Sequence, residues 1–210
     1  MCRTADIRLK RSTCHFFCTT LDSVGFRIEN QELRCSPQKL NKIQHFPKPR
    51  TQKENMAFLG LCQFYLRFVP RYSDMAAPLT ELNKKKYAHD FKRYWMEQHD
   101  QAFRQLVEHL TTAPALVVFN EDRPTRVETD ASSIGMGDVL QQEIAPGEWR
   151  PVEYWSRKFN AVQRNYHAAE RETCAIVYAL AHWRHLLFGC PFTVITDNTA
   201  SKYLTTNSVQ

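Results

Sequence analysis

The run from residue 126 to residue 196 constrains the fold most. Three apolar stretches, over 126–131, 135–142 and 150–156, precede one long amphipathic helical pattern over 165–188, and a last apolar stretch follows over 191–196. Adjacent strands joined by short turns pair antiparallel, and Pro146-Gly147 supplies one such turn. A strand reached through a helix pairs parallel, because that pairing needs a long crossover. The segment therefore predicts an α/β fold with a mixed sheet and a crossover helix. Gly135 and Gly137, at the start of the second strand, predict a bulge or a close backbone approach.

This order places acids. Asp130 ends Val127-Glu128-Thr129-Asp130-Ala131-Ser132, Glu172 stands near the helix start, and Asp197 closes Phe192-Thr193-Val194-Ile195-Thr196. Open α/β sheets bind ligands beyond the carboxyl ends of their strands. Strand end, helix start and strand end can gather three carboxylates at one sheet edge. Such carboxylates repel one another unless cations lie among them, which suggests hard divalent ions with oxygen ligands and a two-metal phosphodiester hydrolysis.

Helical phase separates two glutamates. Glu172 continues to Ile176, Ala179, Trp183 and Leu187, the stripe suited to pack on a sheet, whereas Glu170 leads to Cys174, Val177, Ala181 and Arg184. Glu172 is the candidate. Both glutamates also suit the positive end of a helix, and strand-end aspartates commonly form turns, so structural roles stay open for all three acids.

The front of the chain reads differently. Residues 14–33 alternate loosely and break at Asp22-Ser23 and Gly25, as a β-hairpin does. Ser36-Pro37 opens a helix with Leu40, Ile43 and Phe46 on one face, and Pro47 and Pro49 stop it. Thr51-Gln52-Lys53-Glu54 is a capping box for a second helix ending near Pro70. Ser73-Asp74 caps a third through Leu82, with Pro78 limiting its regularity. A polar connector begins at Lys84-Lys85-Lys86, a helical pattern returns over 95–110, and Pro114 closes it.

Charge divides the chain in the same way. Residues 1–86 hold 16 Lys and Arg against 7 Asp and Glu, net +9, whereas 87–210 carry net −3. A basic half beside an acidic half suits a protein that holds phosphates with one part and metal with the other, although basic helices are also ordinary solvated faces. The seven scattered cysteines fit reduced thiols better than a disulfide framework, and Cys14-His15-x-x-Cys18 lacks a second ligand pair at zinc-finger spacing. With no membrane span and no signal peptide in the sequence, the expectation is a soluble intracellular protein, cytoplasmic or nuclear, with no membrane partner.

Several ordered motifs carry a family resemblance. Thr129-Asp130-Ala131-Ser132, Tyr154-Trp155-Ser156-Arg157-Lys158, Asn165-Tyr166, Glu170-Arg171-Glu172-Thr173-Cys174-Ala175-Ile176-Val177, Trp183-Arg184-His185 and Thr196-Asp197-Asn198 together resemble the RNase H domain of LTR-retrotransposon polyproteins of the Ty3/gypsy group. Phe58-Leu59-Gly60-Leu61-Cys62-Gln63-Phe64-Tyr65-Leu66-Arg67-Phe68-Val69 resembles the thumb helix of the same reverse transcriptases, and Ala77-Pro78-Leu79-Thr80-Glu81-Leu82 the segment after it. The stretch around Val24-Gly25-Phe26 resembles the hairpin that ends the palm and grips the primer.

The resemblance implies four parts: the end of the palm over 1–35, a helical thumb-like region over 36–83, a connector over 84–122, and an RNase H-like domain over 123–210. It implies that Asp130, Glu172 and Asp197 bind two Mg²⁺ ions, or Mn²⁺ in their place, while the RNA strand of an RNA–DNA hybrid is cut. It implies that Arg67 and Arg71 neutralise phosphates and that Gln63 reaches the groove. The remaining partners would be the rest of a Pol polyprotein: palm, fingers and integrase.

The family pattern also has a fourth metal-site aspartate on a later helix, which the chain does not reach before Gln210. This sequence has no Tyr-x-Asp-Asp polymerase motif either. The expectation is thus a reverse transcriptase and RNase H fragment, truncated at both ends and without polymerase catalysis. The alternatives are an inactive remnant that only binds nucleic acid, or a truncated product without a role.

Overall fold

The structure is a computed structural model that describes Cys14 and residues 17–197. The helix start read at residues 198 onward lies outside these. Three short strands, β1 (Thr20–Ser23), β2 (Phe26–Glu29) and β3 (Glu32–Cys35), form an antiparallel meander. Its two turns, Val24-Gly25 and Asn30-Gln31, take positive φ at both central residues, the backbone that matches strand twist in two-residue hairpins. The expected hairpin thus has a third strand. A fourth, β4 (Leu116–Val117), pairs with β3 through Leu33↔Leu116 and Glu32↔Val117. No local pattern announces that pairing, since its partner lies far along the chain.

Helix α1 (Pro37–Gln44) starts as read, with Ser36 extended and Pro37 in the first turn. Helix α2 (Gln52–Phe64) is capped by Thr51, whose side chain accepts from the Glu54 N–H at 3.2 Å, while the Glu54 carboxylate accepts from the Arg50 N–H. It gives way to a 3₁₀ turn over Leu66–Phe68 before Pro70 is reached. The expected third helix is two: α3 (Tyr72–Met75) and α4 (Ala77–Glu81). Pro78 has no N–H to bond back to Asp74, so it sits in the first turn of α4 instead of inside a longer helix. A 3₁₀ turn (Lys85–Tyr87), α5 (Phe91–Tyr94) and α6 (Glu97–Thr112) complete this part. Phe58, Tyr65, Phe68, Leu79, Leu106 and Leu110 are buried together, and α6 packs on α1, α3 and α4. Cys35 and Cys62 belong to this core, and burial pushes both thiols up to about 12, which leaves them unreactive.

The second sheet is the mixed one. Strands β5 (Thr125–Ala131), β6 (Gly135–Ala145) and β7 (Glu148–Lys158) run antiparallel, and β8 (Phe192–Ile195) joins parallel to β5, giving the order β7-β6-β5-β8. Pro151 sits where the β6–β7 register shifts, next to Leu140 and Gln141, where a missing N–H costs least. Between β7 and β8 the chain forms a 3₁₀ turn (Gln163–Asn165), α7 (Ala168–His182) and α8 (Arg184–Leu187). The single helix expected over 165–188 is therefore interrupted at both ends. Val127, Leu140, Val152, Ala179, Trp183 and Leu187 make the core between α7 and the sheet.

Strand alternation gives the sheet two faces. Thr125, Val127 and Thr129, with Met136, Asp138, Leu140 and Gln142, are buried on the α7 side. Asp130 and Gly137 pair on the other side, where α3 docks on β6 and β7. The glycines permit this approach: a Cβ on Gly135 would lie 2.8 Å from Ser73 Oγ, and one on Gly137 would lie 2.7 Å from Arg71 Cγ. The Ser73 N–H donates to Ser156 Oγ at 3.0 Å across the same contact.

Candidate functional site

Asp130 stands next to last in β5 with its side chain half exposed. Its Oδ2 accepts from Arg71 Nη1 at 2.6 Å. The same guanidinium donates through Nε and Nη2 to Asp74 Oδ2 at 3.1 and 2.8 Å, and Asp74 Oδ1 accepts from Ser132 Oγ at 3.0 Å. Asp197 lies just past β8. It shares with Asp130 a cleft of about 380 Å³ that Arg71, Glu128, Asp138 and Thr196 also line.

Glu172 comes down from the first turns of α7. Burial pushes its carboxyl above the ordinary range, the charges of Asp197 and Asp130 push the same way, and the Ala131 backbone N–H pulls weakly against them. Its Oε2 is buried without a hydrogen-bond partner. Glu170 instead points outward and accepts from the His167 N–H at 2.8 Å, closing the helix cap. The structure thus brings Asp130, Glu172 and Asp197 within electrostatic reach of one another and gives Glu170 a capping role.

Oxygen donors that include an orphaned buried carboxylate oxygen suit a hard cation. Among the described residues, however, no three Asp, Glu, His or Cys side chains already stand close enough to enclose a metal ion. Arg71 neutralises Asp130. A divalent ion that took both oxygens of Asp130 would have to displace Arg71. An exposed ion pair contributes no more than about 1 kcal/mol. Replacing Arg71 with Asn, which tolerates the left-handed backbone at φ 48°, is expected to tighten Mn²⁺ binding about two- to fivefold in a calorimetric titration. Unchanged or weaker binding would show that the guanidinium does not compete with the ion.

The other expected contacts fall on the seam between the two sheets. Arg67, in the 3₁₀ turn, pairs with Glu153 at 3.3 Å, and Glu153 also meets His182 Nε2 at 3.4 Å. Arg67 and Arg71 thus each hold an acid of the second sheet, so either reaches a phosphate only by exchanging that partner. Gln63 is exposed near the end of α2 and lines a groove with Tyr72, Ser73, Arg157 and Lys158.

The acid that sequence reasoning missed is Asp138. It is 3% exposed, and neither carboxylate oxygen has a hydrogen-bond partner. Burial, then the charges of Asp130 and Glu172, push its carboxyl up to about 8, and the Asp130 backbone N–H pulls weakly against them. The signal was present as an acid at an inward position of the alternation Met136, Asp138, Leu140, Gln142.

Residues 95–194 match the model of the RNase H-like domain found in reverse transcriptase. That stretch is similar to this RNase H-like domain. Over 198 residues, 93% of its length, it is 29% identical to the Transposon Tf2-3 and Tf2-4 polyproteins of Schizosaccharomyces pombe (strain 972 / ATCC 24843), and it spans about 15% of the length of these curated relatives. A foamy viral protease-reverse transcriptase in complex with dsDNA superposes with a TM-score of 0.74 at 24% identity, over 91% of this chain and 39% of that one. The same enzyme in complex with RNA/DNA hybrid gives 0.68 at 24% identity, over 85% and 24%. The α/β class expected from the sequence is therefore the class observed. The matched stretch opens just before α6, a helix that packs on the first core.

Proposed function

We propose that this chain is the part of a retrotransposon reverse transcriptase that hydrolyses the RNA strand of RNA–DNA hybrids, with Asp130, Glu172 and Asp197 as ligands of two Mg²⁺ ions, or of Mn²⁺. The observation that carries the reading is Glu172: a buried carboxylate oxygen without a partner, on the one helix that crosses to β8, coupled to the acids at two strand ends. When bound, a pair of divalent ions activates water as the nucleophile and stabilises the leaving oxygen. The chain's own residues do the positioning. Asp130 and Asp197 present carboxylates from paired parallel strands, and the α7 packing holds Glu172 against the sheet between them.

Hybrid binding would use the basic front half. Gln63, with Arg157 and Lys158, lines a groove open to a groove-edge contact, and Arg67 and Arg71 can exchange their carboxylate partners for phosphates. Recognition of the RNA strand would rest on its 2′-hydroxyls in the minor groove. The division into palm end (1–35), thumb-like region (36–83), connector (84–122) and RNase H-like domain (123–210) belongs to this proposal, as do palm, fingers and integrase as partners in a longer polyprotein.

The test is cleavage of a hybrid labelled on its RNA strand, with and without Mg²⁺, by the parent chain and by Asp130→Asn. Metal-dependent cleavage that falls to background in Asp130→Asn is the expected result. Equal cleavage by the two proteins would remove the assignment.

A further inference from the structure

The site contains more acid than the three carboxylates above account for. Asp138 pairs across β5–β6 with Thr129, so both side chains stand on the α7 face of the sheet, the face onto which Glu172 descends. Thr129 is 6% exposed and Asp138 3%. Thr129 Oγ1, both oxygens of Asp138 and Oε2 of Glu172 are buried, and none has a hydrogen-bond partner. Asp138 feels the charges of Asp130 and Glu172. Buried polar atoms in folded proteins are paired, with rare exceptions, and these four oxygens on three neighbouring side chains form an acceptor-rich cluster on which the Asp130 and Ala131 backbone N–H groups pull only weakly. A hydrophobic core does not explain them. Two carboxylates and a hydroxyl are the donor set of a hard divalent cation.

We infer that Asp138 is a further carboxylate of the divalent-cation site, acting from the α7 side of the sheet together with Glu172 and the Thr129 hydroxyl. The inference rests on the reading that the acidic cluster takes divalent ions, and it goes beyond that reading by adding a ligand from the middle of β6.

The experiment uses the full chain and Mn²⁺ as the probe. Free Mn²⁺ is followed by its paramagnetic resonance signal during titration of the parent chain, Asp138→Asn, Asp138→Ala and Asp130→Asn. Asn keeps the shape and one carbonyl oxygen, and Ala removes both oxygens. A thermal melt in EDTA confirms that each variant folds. The expected result is Mn²⁺ binding about tenfold weaker in Asp138→Asn, weaker still in Asp138→Ala, and a smaller Mn²⁺-induced rise in melting temperature for both. If both Asp138 variants bind as the parent does while Asp130→Asn loses the ion, Asp138 is not a ligand and the nuclease reading stands. If the parent binds no Mn²⁺, or Asp130→Asn binds it unchanged, the cation site itself is absent and the inference falls with it.

Discussion

In EDTA, Asp138→Ala is expected to be more stable than the parent chain, by a margin that grows by roughly 4 kcal/mol between pH 4 and pH 7. The sign follows from where the proton sits. Asp138 ordinarily titrates near 3.8, whereas burial raises it to about 8 in the folded chain. Between those values the folded state keeps a proton that the unfolded state has released. Each pH unit in that window then lowers folding stability by about 1.4 kcal/mol, with the loss absent below the first value and complete above the second. At 3% exposure water screens little of this cost. Glu172 is raised as well, by burial and then by Asp197 and Asp130, and acts in the same direction. Glu153 differs: burial pushes it up, but His182 and Arg67 outweigh that and hold it below its ordinary range, so its contribution is lost as pH falls below about 4.5, at the acid end of the Asp138 window, and equally in both proteins. Thermal melts across pH 4 to 8 measure the margin, which should reach about 10 °C in melting temperature at neutral pH. A margin that stays flat with pH would mean that Asp138 ionises in the folded chain as it does in the unfolded one. An acid that destabilises the metal-free fold so strongly has a physical reason to be there if a cation occupies its oxygens.

What the sequence revealed divides along the range of the interactions. Local chemistry was readable: Ser36-Pro37 and Thr51 with Glu54 start helices where expected, and helical phase alone picked inward Glu172 over capping Glu170. The mixed sheet followed from strand order, because a helix between strands forces the parallel pairing of β5 and β8. Long-range contacts were not readable. Nothing near Arg71 indicates that its guanidinium spans to Asp130, and nothing near Leu116 indicates a partner in β3. Gly135 and Gly137 signalled a close approach without saying of what, and it is the α3 segment that fills the space. Asp138 escaped for another reason. Ligands gather at strand ends, and an acid within the buried alternation of β6 reads as part of a strand pattern. Only its burial beside Glu172 turns it into a candidate.

Trp183→Ala should cost about 3–5 kcal/mol, the range for deleting a buried aromatic side chain and leaving a cavity. Trp183 is 0% exposed at the end of α7 and packs in the core with Val127, Leu140, Val152 and Leu187, so it fastens the helix to the two strands that carry Asp130 and Asp138. Trp183→Phe should cost less than ring size alone suggests, since the indole Nε1 is buried without a partner and its removal relieves an unpaired donor. The two variants also separate stability from positioning. Glu172 lies on the same helix stripe as Ala179 and Trp183, and its carboxylate meets the sheet only while that stripe stays packed. Mn²⁺ affinity is therefore expected to fall in Trp183→Ala and to hold in Trp183→Phe, both measured well below their melting temperatures. If Trp183→Ala melts early yet binds Mn²⁺ as the parent does, the first turns of α7 are held by Ala175 and Ile176 alone, and the acid cluster does not depend on the far end of its helix.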